Sequence, residues 1–117
     1  MGVKVFIVED NNTLRESLGA WLQSTDIQAT LFDNGTAALE AALGDCDLIV
    51  VDATLPDISG VDLIGELRHR GHNMPIILSS GFPHYREHVP TNGVFLQKPY
   101  KPEVLIELIH LLLDHGN

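Results

Sequence analysis

The sequence predicts a single α/β domain, in which a parallel sheet carries helices on both faces. Short apolar runs alternate with segments of helical periodicity, in the order βαβαβαβαβα. Alternation at this spacing predicts parallel strands joined by right-handed helical crossovers, a doubly wound sandwich. The run Asp47–Val51 is apolar after its first residue, which is typical of a strand covered on both faces. Since 117 residues is an ordinary length for one domain, we expect residues 1–117 to form one unit.

The first half of the chain is predicted to form three strands and two helices. Lys4–Val8 is an apolar run and the first strand. Thr13–Ser24 follows as a helix, because its apolar residues fall at i, i+4, i+7 and i+8 from Leu14, and one of the two asparagines before it can cap its start. Ile27–Phe32 is the second strand, and a DNG turn signal separates it from an Ala-rich helix, Thr36–Leu43. Asp47–Val51 completes this half as the third strand.

The second half continues the alternation but contains one irregular segment. Its helices are predicted over Val61–Arg70 and Lys101–Asp114, and its strands over Met74–Ser79 and Val94–Gln97. Between these two strands lies GFPHYREHVPTNG, whose two prolines break helices. We therefore expect the helix at this place to be short, distorted or absent, with about one turn around His84–His88.

Composition excludes several classes of protein. The net charge of −9 and the scatter of only seven Lys and Arg argue against a nucleic-acid surface. A single cysteine, Cys46, excludes an intrachain disulfide and favours a reducing compartment. The start MGVKVFIVED does not look like a secretory signal, and no apolar stretch reaches membrane-spanning length. We expect a cytoplasmic protein, either stand-alone or cut from a longer chain.

Charged and hydroxyl residues occur just after four of the predicted strands. They are Glu9 and Asp10 after the first strand, Asp52 after the third, Ser79 and Ser80 at the end of the fourth, and Lys98 after the fifth. In doubly wound folds, ligands bind beyond the carboxyl ends of the strands, so these groups should converge. Carboxylates with hydroxyls and an ammonium suit a magnesium ion together with a phosphoryl group. The carboxylate of an aspartate can then act as a nucleophile on phosphorus.

Four stretches in this order resemble the receiver domain of two-component response regulators. They are VFIVEDN, DLIVVDATLPDISGVDLI, MPIILSSG and FLQKPY, and the resemblance covers essentially the whole chain. It implies a flavodoxin-like sheet of strand order 2-1-3-4-5. It also implies phosphorelay signalling, with Mg²⁺ as cofactor and a histidine kinase or a His-containing phosphotransfer domain as the phosphoryl donor. Such a protein is not an enzyme toward other substrates, because it catalyses only its own phosphorylation and dephosphorylation.

The resemblance assigns roles to the residues at the strand ends. Asp52 is the phosphoacceptor, and the Mg²⁺ ligands are Glu9, Asp10, Asp52 and the backbone carbonyl of Thr54. Ser79 is the hydroxyl that binds the phosphoryl group, and Lys98 is the lysine that pairs with it. In the absence of metal, repulsion within the acidic group should raise the pKa of one carboxyl.

Other matched positions concern the switch and the loops. Phe95 matches the aromatic residue that turns inward on activation, and the Lys98-Pro99 bond matches a peptide bond that is usually cis in this family. Pro56 and Gly60 match the turn that leads into the third helix. Ser80 follows the assigned hydroxyl, at a position where the family more often has Ala or Gly, so we expect it to affect hydrolysis of the phosphoryl group.

Two further hypotheses concern surfaces and alternative functions. The last helix has more apolar residues than one core-facing stripe needs, which is consistent with either a wide buried face or a patch for a homodimer or partner domain. The irregular segment before the fifth strand leaves a phosphorylation-independent pseudo-receiver as the alternative function. A phosphatase that forms an aspartyl phosphate would usually carry a second Asp where Thr54 stands. An FMN-binding site is disfavoured, because the carboxylates of EDNN after the first strand would repel the FMN phosphate.

Overall fold

The computed structural model describes residues 2–41 and 46–114 and has five parallel strands in the order β2-β1-β3-β4-β5. The strands are β1 (Val3–Val8), β2 (Ile27–Phe32), β3 (Leu48–Asp52), β4 (Ile76–Ser80) and β5 (Gly93–Gln97). The helices are α1 (Asn12–Leu22), α2 (Gly35–Glu40), α3 (Gly60–His69) and α4 (Pro102–Asp114), and a 3₁₀ helix spans Pro83–His88. The predicted fold class and strand order are confirmed.

Two apolar clusters, one on each face of the sheet, form the core. Residues of β3 and β4 are buried along the whole length of both strands, as the continuous apolar runs predict. Alternate residues point to opposite faces, so Ile49 packs with α3 whereas Val50 packs with α1 and α4. The central strands are covered on both sides, which holds their carboxyl ends in one place.

The helix boundaries differ from the predicted ones by a few residues. Helix α1 starts at Asn12, and the side chain of Asn11 caps it by accepting a hydrogen bond from Leu14 N at 2.9 Å. Helix α2 ends at Glu40, three residues before the predicted end. Of the predicted Thr36–Leu43 helix, positions 42 and 43 lie outside the described residues. The segment between β4 and β5 contains the short 3₁₀ helix, as its prolines predict.

Two polar side chains tie distant loops to the helices. The Asp57 carboxylate accepts hydrogen bonds from Gly35 N at 3.0 Å and Thr36 N at 2.7 Å, and also binds the Thr36 hydroxyl. These bonds hold the pKa of Asp57 well below its usual range, the Thr36 hydroxyl contributing most. At the opposite end of the sheet, the Arg68 guanidinium donates to three backbone carbonyl groups: His72 at 2.8 Å, Met74 at 2.9 Å and Thr91 at 2.9 Å.

The last helix has both a buried and an exposed apolar face. Leu105 and Ile109 are fully buried in the core, whereas Val104 and Leu111 are 44% and 54% exposed. The excess of apolar residues therefore includes some on the surface. Within the described residues, no helix is long and apolar enough to cross a membrane.

Candidate functional site

Three carboxylates meet beyond the carboxyl ends of β1 and β3. Glu9 follows β1 and Asp52 ends β3; both are buried, whereas Asp10 is exposed. One carboxylate oxygen from each residue lies within 4.8 Å of the other two. Strands β1 and β3 are neighbours, with Val8 opposite Val51, so the residues after these positions are brought side by side. The predicted acidic group is thus assembled by the register of the sheet.

Lys98 supplies the positive charge of this cluster. Its Nζ lies 2.6 Å from Glu9 Oε1 and 3.2 Å from Asp52 Oδ2. Burial by itself lowers the pKa of Lys98, but the hydrogen bond to Glu9 and the charge of Asp52 outweigh burial, and the pKa is raised. Lys98 therefore remains an ammonium ion between the two buried carboxylates.

One ammonium does not balance three carboxylates. Burial and the charge of Glu9 raise the pKa of Asp52, although Thr54 N and Lys98 oppose the shift. Burial and the proximity of Asp52 raise the pKa of Asp10. The repulsion predicted from the sequence is therefore present, and it contributes to the raised pKa values of both Asp10 and Asp52. A cation placed among these oxygens would relieve it.

The loop after β3 is folded tightly beneath Asp52. Thr54 N donates to Asp52 Oδ1 at 3.1 Å, which orients the carboxylate. Gly60 N donates to the Ala53 carbonyl at 2.8 Å, and a Cβ on Gly60 would lie 2.1 Å from the Asp52 carbonyl oxygen. Only glycine allows this approach, so the position of Gly60 in the sequence fits the predicted turn.

Ser79 lies beside Asp52 at the buried end of β4, whereas Ser80 lines the open cleft next to it. The cleft is lined by Glu9, Asp10, Asn11, Asp52, Thr54, Ser80, Gly81, Phe82 and Lys98. Ser79 is 1% exposed, and among the described residues its Oγ has no hydrogen-bond partner. It is the register partner of Asp52, so both side chains lie on the same side of the sheet, near the Tyr100 phenol. The next residue, Ser80, points the other way because strand residues alternate. Its Oγ accepts a hydrogen bond from Phe82 N at 3.0 Å.

Phe95 lies on β5, on the face of the sheet that packs against α3. It is half-buried, and its ring is covered by Arg86, whose guanidinium carbon is 5.2 Å from the ring centroid. Phe95 pairs with Leu78 in the register of β4 and β5, and Ser80 lies two residues farther along β4 on the same face. The Lys98-Pro99 peptide bond is cis, as predicted.

The oxygen donors of the cleft fit a hard divalent cation. Glu9, Asp10 and Asp52 offer carboxylate oxygens close enough to share one ion, and Mg²⁺ is bound in proteins by one or two carboxylates with waters and phosphate oxygens. The exposed Asp10 places the group at the open side of the cleft, where an ion can enter with its hydration water.

Comparison with known proteins identifies the family. The model of the response regulator receiver domain matches residues 5–110. The chain belongs to the response regulator receiver domain family. The transcriptional regulatory protein FixJ of Azorhizobium caulinodans is 32% identical over 96% of this chain. That alignment covers 56% of the FixJ length, so this receiver domain spans about half the length of the curated relatives it matches.

Solved receiver domains have the same fold. The response regulator TrrA from Thermotoga maritima, in complex with Mg²⁺-BeF, has a TM-score of 0.82 and 28% identity, with 95% of this chain and 99% of that chain covered. The receiver domain of the sensor histidine kinase PA1611 from Pseudomonas aeruginosa has a magnesium ion in its active site cleft. Its TM-score is 0.84 at 27% identity, with 97% of this chain and 99% of that chain covered.

Three residues of this receiver domain lie next to the site but were not predicted from the sequence. Arg15 donates to the Glu9 carbonyl at 3.0 Å and so ties α1 to the end of β1. Phe82 is 60% exposed at the rim of the cleft. Burial and the charges of Glu9 and Asp52 raise the pKa of Tyr100. An Arg at the first turn of the helix after an acidic pair is a usable sequence signal, whereas Phe82 and Tyr100 depend on how their loops fold.

Proposed function

We propose that this receiver domain takes up a phosphoryl group on Asp52 in a Mg²⁺-dependent reaction and works as a phosphorelay switch. The donor would be the phosphohistidine of a histidine kinase or of a His-containing phosphotransfer domain. The observation that carries the proposal is the buried Asp52 carboxylate, held beside Glu9 and Asp10 and 3.2 Å from the Lys98 ammonium. Such a site attracts a cation and can then accept a phosphoryl group.

In the proposed reaction, an oxygen of the Asp52 carboxylate attacks phosphorus. The new bond is O–P; the P–N bond to the donor imidazole breaks, and its electron pair stays on that nitrogen. Thr54 N holds Oδ1, which fixes the orientation of the nucleophile. Lys98 is held by Glu9 at 2.6 Å, so it can turn from Asp52 to a phosphoryl oxygen without leaving the cleft. Mg²⁺, held by Glu9, Asp10, Asp52 and the Thr54 carbonyl, would neutralise charge on the phosphoryl oxygens.

Within this proposal the phosphoryl-binding hydroxyl is that of Ser79, the residue predicted from the sequence. Ser79 is paired with Asp52 in the parallel register of β3 and β4, so its buried hydroxyl lies on the same side of the sheet as the Asp52 carboxylate. Among the described residues the Ser79 hydroxyl has no hydrogen-bond partner, so it is available to donate to a phosphoryl oxygen, whereas the Ser80 hydroxyl accepts from Phe82 N. Ser80 lies on the same face as Phe95, so a movement of the end of β4 can change the space available to that ring.

Partner and location follow from the same proposal. A histidine kinase or phosphotransfer domain must place its histidine at the open side of the cleft, near Asp10 and Phe82. The protein would act in the cytoplasm, as a stand-alone regulator or as the receiver of a hybrid sensor kinase. It would catalyse only its own phosphorylation and dephosphorylation.

The test is the intact mass after incubation with acetyl phosphate, with and without Mg²⁺. We expect one phosphoryl adduct on the wild-type protein, none without Mg²⁺ and none on Asp52→Asn. No adduct under any condition would refute the phosphoacceptor mechanism and leave the phosphorylation-independent pseudo-receiver.

Two matched serine variants test the assignment of the hydroxyl. Loss of one hydrogen bond to a charged group, worth about 1.5 kcal/mol, should slow phosphorylation of Ser79→Ala by about tenfold. Ser80→Ala is the matched control and should be phosphorylated at nearly the wild-type rate, because the Ser80 hydroxyl binds Phe82 N and points to the other side of the strand. The reverse order of rates would move the assignment to Ser80.

A further inference from the structure

The ring of Phe95 is held against the sheet by one exposed side chain. Arg86 projects from the 3₁₀ helix, and its guanidinium carbon lies 5.2 Å from the centroid of the Phe95 ring, within the range of a cation–π contact. Phe95 is half-buried and packs with Tyr85 and Val89 against the cluster on the α3 side of the sheet. In the part of the chain that the structure describes, Arg86 has no ion pair that competes with this contact.

The same 3₁₀ helix is connected to the site by hydrogen bonds. Phe82, directly before the helix, donates its N–H to Ser80 Oγ at 3.0 Å. Tyr85 N donates to the Phe82 carbonyl at 3.2 Å, and Arg86 is the next residue. A movement of the Ser80 hydroxyl therefore reaches the residue that covers Phe95 through two hydrogen bonds and a few covalent bonds.

We propose that Arg86 is a positioning residue, which keeps the Phe95 ring in the orientation seen here and is released when the end of β4 and the segment after it move toward a phosphoryl group on Asp52. The first half of this proposal concerns the unphosphorylated protein. The second half rests on the proposed function, since it needs a phosphoryl group on Asp52. Because the contact exists in one orientation of the ring and is lost in the other, it favours the unphosphorylated state.

The chemistry of the arginine side chain matters for this role. A planar guanidinium stacks on an aromatic face and is weakly hydrated, whereas an ammonium is compact and strongly hydrated. Arg86→Lys should therefore keep part of the contact, and Arg86→Met should keep the aliphatic stem but lose the charge. Arg86 is exposed, so neither variant disturbs the core.

The first experiment measures the orientation of Phe95 without phosphorylation. Carbon and proton NMR shifts of the Phe95 ring, together with nuclear Overhauser contacts to its neighbours, are recorded for the wild type, Arg86→Lys and Arg86→Met. We expect Arg86→Met to raise the population of the other ring orientation by about two- to fivefold, the effect of a cation–π contact at an exposed site, with Arg86→Lys in between. Unchanged ring signals in Arg86→Met would overturn the proposal, whatever the fate of the proposed function.

The second experiment measures binding of beryllofluoride with Mg²⁺, a mimic of the phosphoryl group. If Arg86 favours the unphosphorylated state, Arg86→Met should bind beryllofluoride about two- to fivefold more tightly than the wild type. In a Phe95→Leu background, which has no ring to hold, the same substitution should change nothing. An equal gain in both backgrounds, or no gain in either, would overturn the release step. Failure of the wild type to bind beryllofluoride would refute the proposed function and the release step together, and the ring measurement would still decide the positioning role.

Discussion

Asp52→Asn should stabilise this receiver domain in the absence of metal, although it removes the proposed phosphoacceptor. Asp52 is 6% exposed and lies beside two other carboxylates, and burial together with the charge of Glu9 raises its pKa. A raised pKa means that the ionised carboxyl is less favourable in the folded protein than in the unfolded chain. Asparagine keeps the size and one oxygen, so Thr54 N retains an acceptor.

The size of the effect follows from opposing charge interactions. At an effective dielectric constant of about 20, two like charges up to 4.8 Å apart repel by about 3.5 kcal/mol, and the Lys98 ammonium at 3.2 Å attracts Asp52 by about 5 kcal/mol. Asp10 adds a smaller repulsion of about 1 kcal/mol, because it is exposed and water screens it. Removing the charge also removes the free-energy cost of desolvating a buried carboxylate, which is several kcal/mol. The charge interactions nearly cancel, and the buried asparagine amide keeps a smaller desolvation cost of its own, so the net expected gain is about 1–2 kcal/mol.

The assay is urea unfolding followed by circular dichroism at pH 7, with EDTA and then with saturating MgCl₂. In EDTA, Asp52→Asn should be the more stable protein. With Mg²⁺ at about 100 times its Kd, the wild type should gain about 2.7 kcal/mol, so the order should reverse. Glu16→Gln, which removes an exposed charge from α1, is the control and should change little in either buffer.

The pH dependence gives a second check on the same reasoning. Because the folded pKa of Asp52 is raised, the wild type loses stability as the pH rises from the unfolded pKa, near about 3.9, through the folded one. The advantage of Asp52→Asn should therefore be largest at neutral pH and shrink toward pH 4. A variant that is less stable than the wild type in EDTA at pH 7 would refute the view that repulsion and burial dominate at Asp52.

Three substitutions elsewhere test how the fold supports the site, each by urea unfolding. Arg68→Ala should cost about 3 kcal/mol because three carbonyl groups lose a charged donor, whereas Arg70→Ala, which breaks an exposed pair, should cost less than about 0.5 kcal/mol. Gly60→Ala should cost about 3 kcal/mol because its Cβ would meet backbone atoms, whereas Gly65→Ala, in open space on the same helix, should stabilise by up to about 1 kcal/mol. Asp57→Asn should destabilise the protein at pH 7, because the folded protein favours the ionised Asp57 carboxylate. The difference in unfolding free energy between wild type and variant should shrink as the pH falls below the unfolded pKa of Asp57 and through its lowered folded pKa. A difference that stays constant down to pH 2 would contradict this.

The sequence alone predicted every strand and the order of the elements. This was possible because apolar runs of strand length and helical periodicity report burial directly. It also predicted Glu9, Asp10, Asp52 and Lys98 as one group, since parallel strands place their carboxyl ends at one edge. The break between β4 and β5 was predicted because Pro83 and Pro90 exclude a regular helix whatever the tertiary context.

The structure was needed to choose between neighbouring residues. Ser79 and Ser80 are adjacent, and successive strand residues face opposite sides of the sheet, so the register of β4 against β3 places the Ser79 side chain, and not that of Ser80, on the same side as Asp52. The sequence shows that side chains along a strand alternate between the two faces of the sheet, but it does not show which of two adjacent residues at the strand end faces the site. The contact of Arg86 with Phe95 likewise joins a loop to a strand, and no periodicity encodes it. Composition and local pattern thus determine the fold and the charges that meet at its edge. Packing between elements determines which side of each strand end faces those charges, because that depends on contacts between residues far apart in the chain.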